Sequence, residues 1–341
     1  MAIGDTSANG RYPVRKLMGV QVLATGSNVP DVVVTNEDLQ ATHGFDPDWI
    51  VQRTGIRERR HAPPGVASSD LAVAAAQQCM QRAGVPAADI DLLIVATFTP
   101  DMTLPSAACL VQDRLGLRAP AFDMSAGCAG FVYALVTAMQ YVATGCAKLA
   151  LVVGVDCTSK ILDPKDQRTF PLFGDGAGAV LVTAGSPEQG LVSYQLGSDG
   201  AGAVLLNRPL CGSKLPPTEA LIREGLHYAK MDGRAVFKWA VRVVDDSVRS
   251  VLRGAEMSPA ELDLIVLHQA NIRIIDAAVD MLQLDREKLV INLDRYGNTS
   301  GGSVPLALDE AHQQGRVHRG DNILLSGFGA GLAWGTAILR W

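Results

Sequence analysis

Short apolar runs alternate along the chain with stretches whose apolar positions recur every three or four residues, the mixture expected of buried strands interleaved with helices. Residues 69–83 form an Ala-rich helical run, Gly84-Val85-Pro86 interrupts it, and residues 88–95 read as a strand centred on Leu92-Leu93-Ile94-Val95. The second half repeats this unit. Residues 237–253 read as an amphipathic helix, Gly254 is expected to end it, Pro259 restarts the chain, and residues 260–267 read as the strand. A pair of strands recurs as well: 149–154 with 176–182, answered by 322–327 with 329–339. Coincidence among Ala-, Val- and Gly-rich segments is the bland explanation, but order and spacing both recur. The pattern therefore predicts an α/β protein of two similar halves, residues 17–187 and 188–341, with a boundary near Ser186-Pro187 and a flexible tail over 1–16. Mixed sheets covered by helices follow from fully apolar strands bounded by Gly and Pro.

Composition sharpens this picture. A chain of 341 residues with 48% hydrophobic and 19% charged residues can bury a large core. Thirty-four glycines favour close packing of helices on strands. The net charge of −5 removes the electrostatic footprint of a nucleic-acid or membrane-surface protein, so any basic contact must be a local patch. No apolar stretch approaches the ~20 residues of a bilayer span, and residues 1–16 lack a signal-peptide core. The six cysteines are dispersed, which suits reduced thiols in a cytoplasm, with Cys79, Cys109 and Cys146 expected as small buried hydrophobes. The Gly- and Pro-rich segment 198–231 is expected to cover or line a site.

Three positions carry candidate chemistry. Strand-like residues 121–124 run through Ser125-Ala126-Gly127-Cys128-Ala129-Gly130 into a helical pattern, 131–144, placing Cys128 at a helix N-terminus, where the dipole favours thiolate. Cys128 is then either a nucleophile or one more small apolar residue. His268 follows a strand and precedes a helix, the place where α/β proteins hold ligands. His43, His61, His227, His312 and His318 lie in polar contexts and are expected at the surface. Asn298 sits in Tyr296-Gly297-Asn298-Thr299-Ser300-Gly301-Gly302, either as a turn residue or as a donor. Together, a thiol that can carry an acyl group and two neutral N–H donors suit decarboxylative carbon–carbon bond formation, because loss of carbon dioxide generates the carbanion without a base. Papain-like proteases share the order Cys, His, Asn, with the His about 130–150 residues downstream. The Cys-Gly-Ser-Cys-Trp context of those proteases is missing, and the duplicated halves argue against them.

Five segments in order, Trp49-Ile50-Val51-Gln52-Arg53-Thr54-Gly55-Ile56-Arg57, Gly127-Cys128-Ala129-Gly130-Phe131, Phe173-Gly174-Asp175-Gly176-Ala177-Gly178-Ala179, His268-Gln269-Ala270-Asn271 and Tyr296-Gly297-Asn298-Thr299-Ser300, resemble the ketoacyl-acyl carrier protein synthase III family of the thiolase-like superfamily. The resemblance implies a thiolase-like fold in five αβαβα layers, a homodimer, and no metal or bound cofactor. It implies acylation of Cys128 from acyl-CoA, then condensation with malonyl-acyl carrier protein driven by His268 and Asn298, to start fatty acid synthesis. A priming ketosynthase or acyltransferase of a specialised pathway is the alternative. By the same resemblance Ala330 contributes with Cys128 to an oxyanion hole and Phe328 walls the chamber. Trp49, otherwise readable as a core aromatic, would stack on the CoA adenine, with Arg53 and Arg168 as further CoA contacts. Lys238, Gln269 and Arg273 would dock the carrier protein. Three departures stand out. Asp166-Gln167-Arg168-Thr169 displaces an Arg that commonly follows the Asp, Asp280 and Met281 stand where Lys often occurs, and Leu104 replaces an aromatic that closes the acyl pocket from the partner subunit. The last suggests tolerance of primers longer than acetyl.

Overall fold

The computed structural model describes residues 12–341. Its ten principal strands are β1 (Arg15–Met18), β2 (Val20–Asn28), β3 (Leu92–Ala96), β4 (Ala121–Met124), β5 (Leu149–Asp156), β6 (Gly176–Ala184), β7 (Gly190–Ser198), β8 (Leu264–Leu267), β9 (Asn322–Gly329) and β10 (Ala333–Arg340). They form two five-stranded sheets, ordered β2-β6-β5-β3-β4 and β1-β7-β10-β9-β8. Four strands of each sheet correspond: β2-β6-β5-β3 pair antiparallel, antiparallel and parallel, and β7-β10-β9-β8 do the same. The repetition expected from the hydrophobic pattern is thus a repetition of sheet topology.

The helices that matter to the site are α1 (Pro47–Thr54), α2 (Ser68–Ala83), α3 (Ala107–Leu115), α4 (Gly130–Ala143), α5 (Gly233–Ala255), α6 (Ile272–Leu282) and α7 (Ser303–Gln313). Helix α4 buries Phe131, Val132, Leu135, Val136, Met139 and Val142, so apolar side chains leave it on nearly every side. Such a helix belongs in an interior. It lies with α7 between the two sheets, sharing one apolar cluster with Val152 and Val180 of one sheet and Leu325 and Leu339 of the other. Helices α2 and α3 cover the outer face of the first sheet, and α5 and α6 that of the second. The five layers are α2/α3, sheet, α4/α7, sheet, α5/α6. Helix α5 shows the opposite design to α4, with buried Ala240, Val243, Val244, Ser247, Val248 and Val251 on a single face.

Several expectations are corrected. Residues 12–16 are not a loose tail: Arg15 and Lys16 belong to β1, which pairs with β7 of the other half, and the Tyr12 hydroxyl donates to Ser198 O at 2.6 Å. Residues 1–11 of the expected tail lie outside the described residues. The principal strands on the N-terminal side of residue 187 belong to the first sheet except β1, which pairs in the second. Gly254 does not end α5; the helix continues to Ala255 and is capped at Glu256, with φ 56°. A Cβ at Gly254 would come within 2.4 Å of Val14 Cγ1 and 2.8 Å of Ser193 Oγ, so its small size admits the neighbouring chain. The strand beginnings expected at 88 and 260 are 3-10 turns, Ala87–Asp89 and Pro259–Glu261. Cys109 and Cys146 are exposed, whereas Cys79 is buried. Among the described residues no helix is long and apolar enough to cross a membrane.

The central layer is the part of the fold with least room for error. Leu135→Ala, at a fully buried position, should lower stability by about 2–5 kcal/mol. Leu23→Ala on the half-open face of β2 should stay within about 1 kcal/mol. Paired denaturant titrations check the contrast, and equal losses would contradict this account of the core.

Candidate active site

The strand ends of the two halves meet at a cleft of about 1880 Å³ whose lining includes Cys128, His268 and Asn298. Each of the three comes from a different connection. β4 ends at Met124, the chain makes a tight turn over Gly127–Ala129, and α4 starts at Gly130, so Cys128 lies in the turn that feeds the buried central helix. His268 is the first residue after β8, its N–H donating to Ser326 O of β9 at 2.8 Å. Asn298 is clamped by its backbone, donating to Leu172 O at 2.9 Å and accepting from Gly174 N at 3.1 Å.

Side-chain geometry fixes the roles further. Asn298 Oδ1 accepts the Ser300 N–H at 2.9 Å, which orients the amide and leaves its NH2 group to serve the cleft. His268 is 2% exposed, with Phe328 edge-on to its ring at 5.2 Å between centroids. Its Nδ1 is sealed off without a partner, leaving Nε2 to act toward the cleft. Burial pushes the His268 pKa down to about 3, so the ring is neutral at ordinary pH. Burial, with the Asp156 carboxylate second, pushes the Cys128 thiol up to about 12; the Ser300 hydroxyl and the Cys128 N–H pull the other way without prevailing. The thiolate expected from the helix end is therefore not the resting state. Desolvation opposes ionisation here, and at ordinary pH Cys128 rests as a thiol.

The turn between β9 and β10 closes on the nucleophile from the second half. A Cβ on Gly329 would lie 2.8 Å from Cys128 N and 3.1 Å from its Sγ, so only glycine permits this approach. A Cβ on Gly127 would lie 2.7 Å from Ala330 O and 2.9 Å from Ala330 N, so the Ala330 backbone packs against the residue next to Cys128. Phe328 walls the chamber between His268 and Trp239.

Trp49, Arg53, Arg168, Lys238 and Arg273 all line the same cleft. Arg53 carries the Asn271 side chain on its carbonyl at 3.0 Å, and Arg273 lies 5.4 Å over the Phe237 ring. Arg168 points largely to solvent and donates to Asp166 at 3.0 Å. Two expected residues fall elsewhere. Gln269 is 1% exposed and fully engaged, its NH2 donating to Leu267 O and Val290 O and its Oε1 accepting from Asn292 N, so it holds the strand end and cannot dock a carrier protein. Leu104 is 85% exposed and outside the cleft of its own chain. Asp280 and Met281 are exposed on α6. His61, His227 and His312 are half-buried rather than at the surface; His61 packs edge-on to Phe170 with Nε2 3.2 Å from Phe173 O.

Eight Lys and Arg side chains against three Asp line the cleft, in a chain whose overall charge is −5. Lys165, Arg208, Lys230 and Arg234 are the cations of this set that the sequence pattern did not single out, and of these Arg208 and Lys230 belong to a segment that did stand out. The available signal was the irregular segment 198–231, which folds partly into a short hairpin, Leu206–Asn207 with Lys230–Met231, along the cleft.

The chain is similar to known proteins along nearly its whole length. Residues 122–200 match the family model described as 3-oxoacyl-[acyl-carrier-protein] synthase III, and residues 252–341 that of its C-terminal part. The chain is 53% identical to the beta-ketoacyl-[acyl-carrier-protein] synthase III of Rhodopirellula baltica, covering 95% of this chain and 99% of that one. Among solved structures, the synthase III of Thermus thermophilus is 44% identical with a TM-score of 0.87, covering 94% and 98% of the two chains. The priming beta-ketosynthase of the R1128 polyketide pathway is 35% identical with a TM-score of 0.87, covering 96% and 98%.

The neutral imidazole has a direct check. With its pKa lowered from 6.5, His268 binds fewer protons folded than unfolded, so its contribution to stability is full above pH 6.5 and is lost as pH falls toward about 3. Nitrogen NMR of labelled His268 should show a neutral ring from pH 8 down to about pH 5. A titration midpoint near 6.5 would contradict the sealed pocket.

Proposed function

Because the chain belongs to the beta-ketoacyl-[acyl-carrier-protein] synthase III family, we propose that Cys128, His268 and Asn298 are the residues with which it carries out the initiating condensation of fatty acid synthesis. The observation that carries this assignment is the convergence of a thiol, a neutral imidazole and an oriented amide, drawn from both halves, on one cleft.

The chemistry follows from those states. The primer's thioester carbonyl sits with its oxygen toward the N–H groups of Cys128 and Ala330, and Cys128 Sγ attacks the carbon. The thiol proton passes to the departing CoA sulfur as the C–S bond to CoA breaks and the C–S bond to Cys128 forms, so that His268 keeps its hydrogen on Nε2 throughout. Malonyl-acyl carrier protein then enters. Loss of carbon dioxide leaves its electron pair as an enolate, whose oxygen receives hydrogen bonds from the neutral imidazole and the Asn298 amide. The enolate carbon attacks the acyl-Cys carbonyl, the C–S bond breaks, and the Cys128 sulfur takes up one proton. The products are 3-oxoacyl-carrier protein, carbon dioxide and the regenerated thiol.

The mouth of the cleft suits both substrates. Trp49 offers a flat face for the adenine, and Arg53 offers its guanidinium to the CoA phosphates, with Arg168 available once it leaves Asp166. Lys238 and Arg273 face an acidic carrier protein, with Arg208, Lys230 and Arg234 extending the patch. A homodimer completes the primer pocket in this reading: β4 is an unpaired, half-buried sheet edge, and Leu104, with Met102 beside it, projects from the neighbouring connection toward a second copy. The higher identity to a synthase III than to the polyketide priming enzyme favours the fatty acid carrier as acceptor.

Intact-protein mass spectrometry after exposure to acyl-CoAs should show an acyl adduct on wild type and none on Cys128→Ala. Adding malonyl-acyl carrier protein should discharge it as 3-oxoacyl product. Asn298→Ala should acylate normally and discharge about 10²–10³-fold more slowly. An adduct that wild type retains after malonyl addition would sink condensation. In the same assay primers longer than acetyl should load on wild type and fail on Leu104→Phe; loading of acetyl alone by wild type would refute the role given to Leu104.

A further inference from the structure

Behind the cleft lies a carboxylate that the reaction above does not use. Asp156 ends β5 and is fully buried. Its Oδ1 accepts from Thr97 Oγ1 at 3.0 Å, Phe98 N at 2.9 Å, Thr99 N at 3.1 Å and Thr99 Oγ1 at 2.8 Å, and its Oδ2 accepts from Gly301 N at 2.8 Å. No Lys or Arg pairs with it among the described residues. A buried carboxylate held only by neutral donors is costly, and burial raises its pKa to about 6 despite those donors. Packing alone would be served as well by an apolar residue, so the arrangement calls for another explanation.

The five bonds run to two connections only. Gly301 lies three residues beyond Asn298; between them Ser300 has the left-handed φ of 51°, its N–H orients the Asn298 amide, and its hydroxyl meets Thr158 Oγ1 at 2.8 Å. Thr97, Phe98 and Thr99 open the connection that places Phe98 in the cleft and continues to Leu104. One carboxylate thus fixes, against the end of β5, both the turn that aims the Asn298 amide and the loop opposite it. A Cβ on Gly301 would lie 2.8 Å from Asp156 Oδ2, so the contact has no slack.

We propose that Asp156 is a positioning residue for the condensation half-reaction, holding the Asn298 turn through Gly301 so that the Asn298 amide stays aimed at the enolate oxygen. The inference rests on the assignment of Cys128 and Asn298 made above. It predicts an asymmetry, because acylation of Cys128 needs the nucleophile and its adjacent N–H groups, whereas discharge by the malonyl donor needs Asn298 as well. An amide at position 156 supplies one acceptor oxygen where the carboxylate supplies two, and presents N–H hydrogens to donors that cannot receive them.

The test separates the two half-reactions by rapid-quench mass spectrometry. Asp156→Asn should acylate from acetyl-CoA at least as fast as wild type, since the carboxylate that helps hold the Cys128 thiol up is gone, and discharge with malonyl-acyl carrier protein about 10- to 100-fold more slowly. In the Asn298→Ala background the same substitution should cost no more than about twofold further, since the residue it acts through is gone. If Asp156→Asn does not fold, Gly301→Ala, which pushes the turn off the carboxylate, should give the same asymmetry and the same loss of effect without Asn298. Equal slowing of both half-reactions, or a full loss persisting in the Asn298→Ala background, would overturn the proposal and make Asp156 a general structural residue. Absence of any acyl adduct on wild type would instead overturn the functional reading beneath it.

Discussion

Desolvation at the meeting point of the two halves governs the site. A cysteine at a helix N-terminus in water would be an activated thiolate, but Cys128 sits in the innermost layer, and its thiol is pushed from 9.0 up to about 12. That change is on the order of 4 kcal/mol against ionisation. The same burial removes the charge from His268. Two groups that would form an ion pair in a wetter site are both neutral here, and this neutrality suits the chemistry. In the reaction proposed for this site, a neutral imidazole with its hydrogen on Nε2 offers that N–H to the enolate oxygen in the state it already holds at rest, with no charge to desolvate.

The duplicated topology explains how such a dry site can be assembled with little irregular backbone in the core. Strands of both sheets end at the cleft, and the connections leaving them line it: β4 leads to Cys128, β8 to His268, β9 to Gly329 and Ala330. Helices α4 and α7, packed back to back between the sheets, set the distance between the halves. The turn before α4 supplies the nucleophile, and the turn before α7 carries Asn298, so shifts of the central layer are transmitted to both at once. The close contact between Gly329 and Cys128 is the tightest expression of this arrangement.

Much of this was legible in the chain. Fully apolar strands alternating with helices marked two similar α/β halves, and Ser125-Ala126-Gly127-Cys128 between a strand and a helical run marked a turn at a helix start, whereas the five layers followed only from the family resemblance. What the sequence could not convey was whatever depends on which face a residue turns. Gln269 stands between His268 and Asn271, both in the cleft lining, yet its side chain points inward to tie Leu267, Val290 and Asn292 together. Gly254 looked like a helix stop because a helix-ending glycine and a glycine that admits a neighbouring segment read alike; only the proximity of Val14 and Ser193 distinguishes them. The thiolate expectation failed for a related reason, since the dipole is visible in local sequence and the depth of burial is a property of both sheets together.

Charge is distributed in the opposite sense to polarity. The chain is acidic overall, the cleft lining carries an excess of cations, and the reacting residues at its floor are neutral. A field of this kind attracts polyanionic substrates to the mouth while adding little to the floor, because exposed cations are screened over about 10 Å at ordinary ionic strength. Binding and chemistry are thereby separated along the cleft. In the proposed reading, substitutions among Arg53, Lys238 and Arg273 would act on the approach of substrate and its salt dependence, while the dry floor would decide the course of acyl transfer. Cations placed beside Cys128 would have lowered its pKa and favoured the thiolate, but they would also have favoured retention of the malonyl carboxylate, whose departure as neutral carbon dioxide is the step that generates the nucleophilic carbon. A neutral floor beneath a cationic mouth resolves that conflict, binding the charged parts of the substrates where no charge is lost and leaving the carboxylate in surroundings that do not stabilise it.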